Sequence, residues 1–126
     1  MRYEIPVSAE LKLSLNDRSR HWGKAARLTQ RLRERSGWMA RSLRIPPQQE
    51  RIDVGLVWHY KVERRRDAIN TTPMVKALVD GLRDAQVIPD DTPMWVRELP
   101  TTFERADEER FTFWVETFDQ YGEDAA

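Results

Sequence analysis

The segment RIDVGLVWHYK, residues 51–61, alternates two kinds of side chain along its whole length. Apolar and aromatic residues occupy every second position, and this set is Ile52, Val54, Leu56, Trp58 and Tyr60. The positions between them carry Asp53, Gly55, Val57, His59 and Lys61. Successive side chains of a β-strand point to opposite faces of the sheet, so this period of two predicts a strand with these two sets on its two sides.

A helix is predicted shortly after this strand. Thr72 can cap its first turn, and Pro73 suits the start of a helix because its missing N–H would have no partner there. Apolar residues then recur at helical spacing, namely Met74, Val75, Leu78, Val79, Leu82 and Ala85. A second face carries three charged residues four positions apart, Lys76, Asp80 and Asp84.

The N-terminal third of the chain predicts strand first and helix second. Its opening residues suit one or two short strands, interrupted at Pro6 or near Ser8. A helix then begins near Gly23 and ends before Pro46, because proline cannot continue it. Its apolar stripe is Ala25, Leu28, Leu32, Met39 and Leu43.

The C-terminal third adds two more strands, at residues 94–99 and 111–118. We therefore expect an α+β fold in which a mixed sheet of about four strands packs against two main helices. Residues 1–118 are expected to form a single domain, and residues 119–126 an acidic, flexible tail.

The composition narrows the function classes before any motif is considered. A chain of 126 residues fits one domain, so one fold must supply both binding and any chemistry. With no cysteine and only two histidines, thiol chemistry is excluded, and carboxylates are the expected ligands of any metal ion. The sequence has no apolar leader and no run of 18 apolar residues, which predicts a cytoplasmic protein without a membrane partner.

Charge is strongly polarised along the chain although the net charge is zero. Nine basic residues and one acid lie between residues 18 and 44, whereas eight acids and two arginines lie from residue 104 onwards. Two explanations stay open: the basic face binds a polyanion such as DNA, or it is solvated or pairs with the acidic end of the same chain. For DNA, the candidate contacts are Arg18, Arg20, Lys24, Arg27 and Arg31.

The residues that could carry chemistry lie in RRRDAIN, residues 64–70, and in KALVDGLRDAQVIPDD, residues 76–91. The helix between them can return the chain to the sheet and bring Asp67 near Asp90 and Asp91. Such carboxylates suit Mg²⁺, which takes one or two carboxylates together with water and substrate phosphate. The arginines would bind those phosphates, and Lys76 would stabilise charge as a phosphodiester bond breaks.

These two segments resemble the signature of the RusA-like Holliday junction resolvases, especially the phage-borne members. The match is dense over residues 64–91, and the loop with Asn16, His21 and Trp22 is loosely similar to the family's N-terminal loop. The resemblance implies a RusA-like homodimer that nicks branched DNA, such as a four-way junction, during recombination or repair in a bacterial or phage-infected cell. It implies Mg²⁺, with Mn²⁺ as the alternative ion, and no organic cofactor.

The resemblance also implies residue roles, position by position. Asp67, Lys76 and Asp91 correspond to the catalytic residues. The metal ligands would be Asp67 and Asp91, with Asp90 as a supporting acid. The neighbouring DNA contacts would be Arg64, Arg65, Arg66 and the motif asparagine, Asn70.

Ile69 departs from the family pattern, which has a second aspartate directly before the asparagine. Two outcomes stay open: Asp67, Asp90 and Asp91 hold the ion with extra water, or the protein binds junctions with weakened or no cleavage. A third hypothesis has no catalysis, and treats the chain as an interaction module whose basic helix pairs with its own acidic tail. The five tryptophans are expected to be mostly core, with Trp22 considered for stacking on a base.

Overall fold

The computed structural model describes residues 1–14 and 22–118. Along the chain the main elements are β1 (Arg2–Ser8), α1 (Trp22–Ser42), β2 (Ile52–Tyr60), α2 (Thr72–Asp84), β3 (Val96–Glu98), β4 (Thr102–Arg105) and β5 (Arg110–Glu116). Short 3₁₀ turns follow β1 and precede α2, at Ala9–Leu11 and Ala68–Thr71. The α+β class and the two main helices are confirmed. Neither of these described helices is long and apolar enough to cross a membrane.

β2 is the central strand of a mixed sheet. It is antiparallel to β5, with Leu56 opposite Phe113, and β5 in turn is antiparallel to β1. β3 and β4 both run parallel to β2, along residues 52–54 and 57–60 respectively, so they share one edge. Five strands thus fill four positions in the sheet. β4 has no counterpart among the predicted strands, because all four of its residues are exposed and give no alternating pattern.

β1 runs through Pro6 without interruption and ends at Ser8, so of the two predicted positions for a break the one at Pro6 is wrong and the one near Ser8 is confirmed. Proline is tolerated because β1 is an edge strand of the sheet, where one side needs no backbone donor. No second strand follows within the described residues up to 14, although Leu11 and Leu13 are buried in the core.

A single hydrophobic core joins the sheet to both helices. Its fully buried members include Ile5, Leu32, Leu56, Leu78 and Phe113. The stripe of α1 differs from the prediction at its C-terminal end: the buried residues there are Ser36, Gly37 and Ala40. Met39 is only half-buried and Leu43 is exposed. Small residues occupy the buried positions because α1 lies very close to α2 there.

α1 and α2 approach so closely that Gly81 leaves no room for a side chain. A Cβ there would lie 2.4 Å from the backbone oxygen of Arg33 and 2.6 Å from the Cβ of Ser36. The Ser36 hydroxyl donates to the Leu78 carbonyl oxygen at 2.6 Å across the same contact. This contact fixes the position of α2 on the core, and with it the residues at either end of the helix.

Pro73 occupies the first turn of α2, as predicted, but the cap differs from the prediction. The N-cap is Thr71, and it makes no side-chain cap hydrogen bond because its hydroxyl is used elsewhere. That hydroxyl donates to the Ala68 carbonyl oxygen at 2.7 Å and lies 2.6 Å from the Thr101 hydroxyl. The start of α2 is therefore tied to the 3₁₀ turn before it and to the segment after β3.

The tryptophans are more exposed than predicted. Trp22 is 80% exposed and Trp38 is 60% exposed, so neither belongs to the core. The half-buried tryptophans are Trp58, Trp95 and Trp114. Trp114 lies across Gly55 of β2, where a Cβ would come within 2.4 Å of the indole ring, and this contact explains the glycine in a central strand.

Candidate functional site

The loop between β2 and α2 is shaped by its own side chains. The Asp67 carboxylate accepts a hydrogen bond from the backbone N–H of Ile69 at 3.1 Å and so caps the 3₁₀ turn. The Arg66 guanidinium donates to the carbonyl oxygens of Val62 and, at 2.8 Å, of Arg64. These local hydrogen bonds hold the arginine-rich loop beside the end of β2.

This loop forms one wall of a cavity of about 430 Å³. Its lining includes residues 64–67 together with Asn70, so the cavity brings together all five loop residues of the motif that the sequence selects. The rest of the lining comes from residues 12–14, which follow the first 3₁₀ turn, and from Trp58, Thr71 and Met74. The predicted DNA-contacting residues of this loop therefore share one concave surface.

The three arginines of the loop differ in their availability. Arg66 is half-buried, and its guanidinium lies 4.3 Å from the Tyr60 ring centroid while donating to loop carbonyls. Arg64 and Arg65 are exposed, and neither has a side-chain hydrogen bond or ion pair with any described residue. Arg66 therefore builds the loop, whereas Arg64 and Arg65 present unneutralised cations to a ligand.

Two cavity residues that lie outside the motif, Trp58 and Lys12, share a carboxylate partner. Trp58 lies on the cavity floor, and its indole N–H donates to the Glu109 carboxylate at 2.9 Å. Lys12 approaches the same group, with its Nζ 3.6 Å from Glu109 and 5.1 Å from the Trp58 ring centroid. The sequence gives one indication that Trp58 belongs to the site, namely its position near the end of β2, shortly before the arginines. No pattern around Lys12 indicates that this residue lies in the site.

A second polar group lies on α2 and the turn after it. The Lys76 ammonium donates to Asp91 and, at 2.9 Å, to Asp80. The hydrogen bond from Lys76 holds the pKa of Asp91 at about 2, below its ordinary value, and the bonds to Asp91 and Asp80 raise the pKa of Lys76. The predicted catalytic lysine and one predicted metal ligand are thus in direct contact.

Asp90 and Glu98 border this group. The Asp90 carboxylate accepts from the backbone N–H of Asp91 at 2.8 Å, which is a turn contact. Partial desolvation raises the pKa of Glu98, while Lys76 lowers it and Asp91 raises it. Glu98 therefore belongs to the electrostatic neighbourhood of Lys76. The sequence does not reveal this because β3 is too short to show a pattern.

The predicted metal ligands fall into two groups. Asp67 lines the cavity, whereas Asp91 contacts Lys76. Over residues 1–14 and 22–118, no three acidic or histidine side chains are grouped so that they could hold a metal ion together. Asp91 and Asp80, which meet at Lys76, supply the one or two carboxylates that Mg²⁺ takes, so a partial fit exists there. The assignment of Asp67, Asp90 and Asp91 to Mg²⁺ stays a prediction.

The basic residues of α1 divide into structural and unpaired ones. Arg33 binds the Asp84 carboxylate, with its Nη2 2.7 Å from Oδ1. Arg35 donates to the Pro6 carbonyl oxygen at 2.9 Å, and Arg41 donates to the backbone of Asp84 at 3.0 Å. The exposed residues without such partners among the described residues are Lys24, Arg27 and Arg31. The other predicted contacts, Arg18 and Arg20, lie outside the described residues, as do Asn16 and His21.

Comparison with known proteins gives no family assignment. No protein-family model matches the sequence, and no curated protein matches it significantly.

Proposed function

We propose that the protein is a Mg²⁺-dependent, structure-selective endonuclease that cuts branched DNA such as four-way junctions. The observation that carries this proposal is the pairing of two sites on one short stretch of chain. A cavity with Arg64 and Arg65, which have no acidic partner among the described residues, precedes α2, and the Lys76–Asp91 pair lies on α2 and the turn after it. Phosphate-binding cations beside carboxylates are the components that metal-assisted phosphodiester hydrolysis requires.

Each side chain has a role in this proposal. Arg64 and Arg65 bind the DNA backbone, and Asn70 contacts the strand beside them. Asp91 would hold Mg²⁺ with Asp67 or Asp80, and the bound ion would supply an activated water at neutral pH. Lys76, released from Asp91, would neutralise charge on the phosphate as the bond breaks.

Selectivity for branched DNA would come from a homodimer. Lys24, Arg27 and Arg31 give each copy an exposed cationic face on α1. Two such faces related by a two-fold axis would bind two arms of a four-way junction. This dimer and a role in recombination or repair, in a bacterial or phage-infected cell, follow from the RusA-like resemblance.

A second candidate is a junction-binding protein without turnover. The Ile69 side chain is 61% exposed at the position where the family has an acid, and the Lys76 ammonium already neutralises Asp91. Both observations disfavour tight binding of a divalent cation. Such a protein would bind junction DNA through the cationic cavity but would not cleave it.

Incubation with a labelled synthetic four-way junction and Mg²⁺ tests the proposal. We expect paired nicks, and Asp91→Asn should reduce the rate by about 100-fold or more because the ion loses a ligand. The matched control is Asp107→Asn, an exposed acid outside both groups. Tight, salt-sensitive binding without cutting supports the second candidate. Failure to bind the junction at low salt contradicts both the endonuclease and the junction-binding candidate. The hypothesis of an interaction module without catalysis would then remain.

Restoring the family acid at residue 69 separates the two candidates further. We expect Ile69→Asp to raise the cleavage rate, and Ile69→Asn, which has the same shape without the charge, to leave it unchanged. Equal rates for the two variants would show that position 69 does not limit the reaction.

A further inference from the structure

The cavity beside Trp58 has two unlike halves. Arg64 and Arg65 supply a cationic rim, whereas Trp58, Leu13 and Met74 supply apolar lining. Its volume of about 430 Å³ falls in the range of roughly 300–1,000 Å³ that is usual for small-molecule sites. A phosphate group alone would contact the rim and leave the apolar half uncovered, so the shape fits an anion that carries a flat, largely apolar group.

The aromatic floor of this cavity is held in place. The Trp58 indole N–H is bonded to Glu109 at 2.9 Å, and the ring packs on Phe111 and Phe103 with centroids 5.3 Å and 5.8 Å away. A side chain fixed in this way loses little freedom when a ligand stacks on it. Trp58 is only half-buried, so part of its surface is left for a ligand.

Lys12 connects the two halves. Its ammonium lies 5.1 Å from the Trp58 ring centroid, and its ion pair with Glu109 is long, at 3.6 Å. A partly exposed pair of that length is weak, so Lys12 can leave the ring and contact a phosphate at the rim. Its departure removes one of the two cations that lie over the indole, while Arg66 stays 5.5 Å from the same ring centroid, and a third cation joins Arg64 and Arg65.

We propose that this cavity binds one unpaired nucleotide of a branched DNA, with its phosphate on Lys12, Arg64 and Arg65 and its base against Trp58. The proposal rests on the proposed DNA-directed function and adds the part of the substrate that the site selects. A base in a duplex must first be unpaired and unstacked before it can enter a cavity, whereas an unpaired base at a branch point has already lost its partner.

Two DNA probes test this with the unmodified protein. One is a labelled four-way junction with a single unpaired thymidine at the crossover, and the other replaces that thymidine with an abasic residue. Dissociation constants are measured by fluorescence anisotropy in EDTA, so that no cutting occurs. We expect the abasic probe to bind roughly 5- to 150-fold more weakly, the range given by aromatic stacking of one base. Affinities within about twofold of each other overturn the proposal.

Protein variants test which cavity residues contact the phosphate and which contact the base. Lys12→Ala should weaken both probes several-fold more than Lys61→Ala, an exposed lysine outside the cavity that removes the same charge. If these two substitutions weaken binding equally, the assignment of the phosphate to Lys12 is overturned. Trp58→Leu should abolish the difference between the probes, and Trp58→Phe should retain much of it. If Trp58→Leu does not fold, the comparison of Lys12→Ala with Lys61→Ala still tests binding in this cavity, because a probe difference alone could also come from stacking on the exposed Trp22.

Cleavage of a fully paired junction in Mg²⁺ is scored separately. A large difference between the probes without any cleavage supports the cavity assignment and contradicts the endonuclease. Cleavage with equal affinity for both probes keeps the endonuclease and overturns the cavity assignment. If neither probe binds, both the cavity assignment and the proposed DNA-directed function are overturned.

Discussion

Lys76 has two opposing effects on the acids that surround it. Its ammonium donates to both Asp80 and Asp91, so it stabilises two carboxylates that would otherwise repel each other. The same contact places a monovalent cation where a divalent one would have to bind. Any ion that uses Asp91 must therefore compete with this lysine, and the strength of the pair sets the cost of that exchange.

Replacing Lys76 with methionine should raise the pKa of Asp91 from about 2 towards the ordinary value of 3.8. The pKa of Asp91 is lower in the folded chain than in the unfolded one, so the pair stabilises the fold at neutral pH. That contribution disappears as the pH falls from about 4 to about 2. Carboxyl ¹³C NMR titration of Lys76→Met, with Lys61→Met as the control, measures the shift. An Asp91 pKa still near 2 in Lys76→Met would rule out this lysine as its cause.

At the scale of elements, α2 positions both halves of the candidate site. The 3₁₀ turn with Asp67 is joined to its N-terminal end, and Lys76 and Asp80 lie on its exposed side. The adjoining side of the helix packs closely against α1 at Gly81. A displacement of α2 would therefore move the loop cavity and the Lys76 group together.

Gly81→Ala should destabilise the protein by about 1–3 kcal/mol, because the added methyl group would overlap backbone atoms of α1. Gly23→Ala is the matched control, since a Cβ at Gly23 meets nothing within 4 Å and alanine favours a helix. Chemical denaturation of the two variants gives the comparison. A Gly81→Ala protein as stable as Gly23→Ala would mean that the two helices can separate without cost.

Sequence periodicity predicts the elements that bury one face and fails for the others. β5 and α2 lie within a few residues of their predicted bounds, because their alternating or helical patterns come directly from burial. β2 also lies within its predicted bounds, although its burial does not alternate, since Asp53 and His59 on its second face are buried too. β4 is wholly exposed and gives no such pattern. The motif locates Arg64, Asp67 and Lys76, but Lys12 and Glu98 reach the site from distant segments, and no local rule identifies such neighbours.

At the scale of the whole molecule, the basic segment of the sequence is not a uniform basic surface. Arg33, Arg35 and Arg41 are used to hold α1 against α2 and β1. The cations that remain for a polyanion among the described residues of α1 are Lys24, Arg27 and Arg31. Charge counted along the sequence therefore overstates what DNA can contact.

Arg31→Ala should weaken junction binding and reduce the slope of log affinity against log salt by about 1, because one phosphate contact is lost. Arg51→Ala, which removes an exposed arginine outside α1, should leave the slope unchanged. Anisotropy titrations at several salt concentrations give both slopes. The same slope in all three proteins would mean that this face of α1 does not touch DNA.

The pairing of the first strand with the last allows the order of the strands along the chain to be changed. Arg2 lies opposite Glu116 in the antiparallel pair of β1 and β5, so the start of one strand and the end of the other are neighbours. A circular permutant could join them with a short flexible linker and open instead at the exposed turn between Asp107 and Glu108. Such a permutant would begin with β5, the strand that separates β1 from β2, and would let the order of sheet assembly be tested without changing any contact in the core.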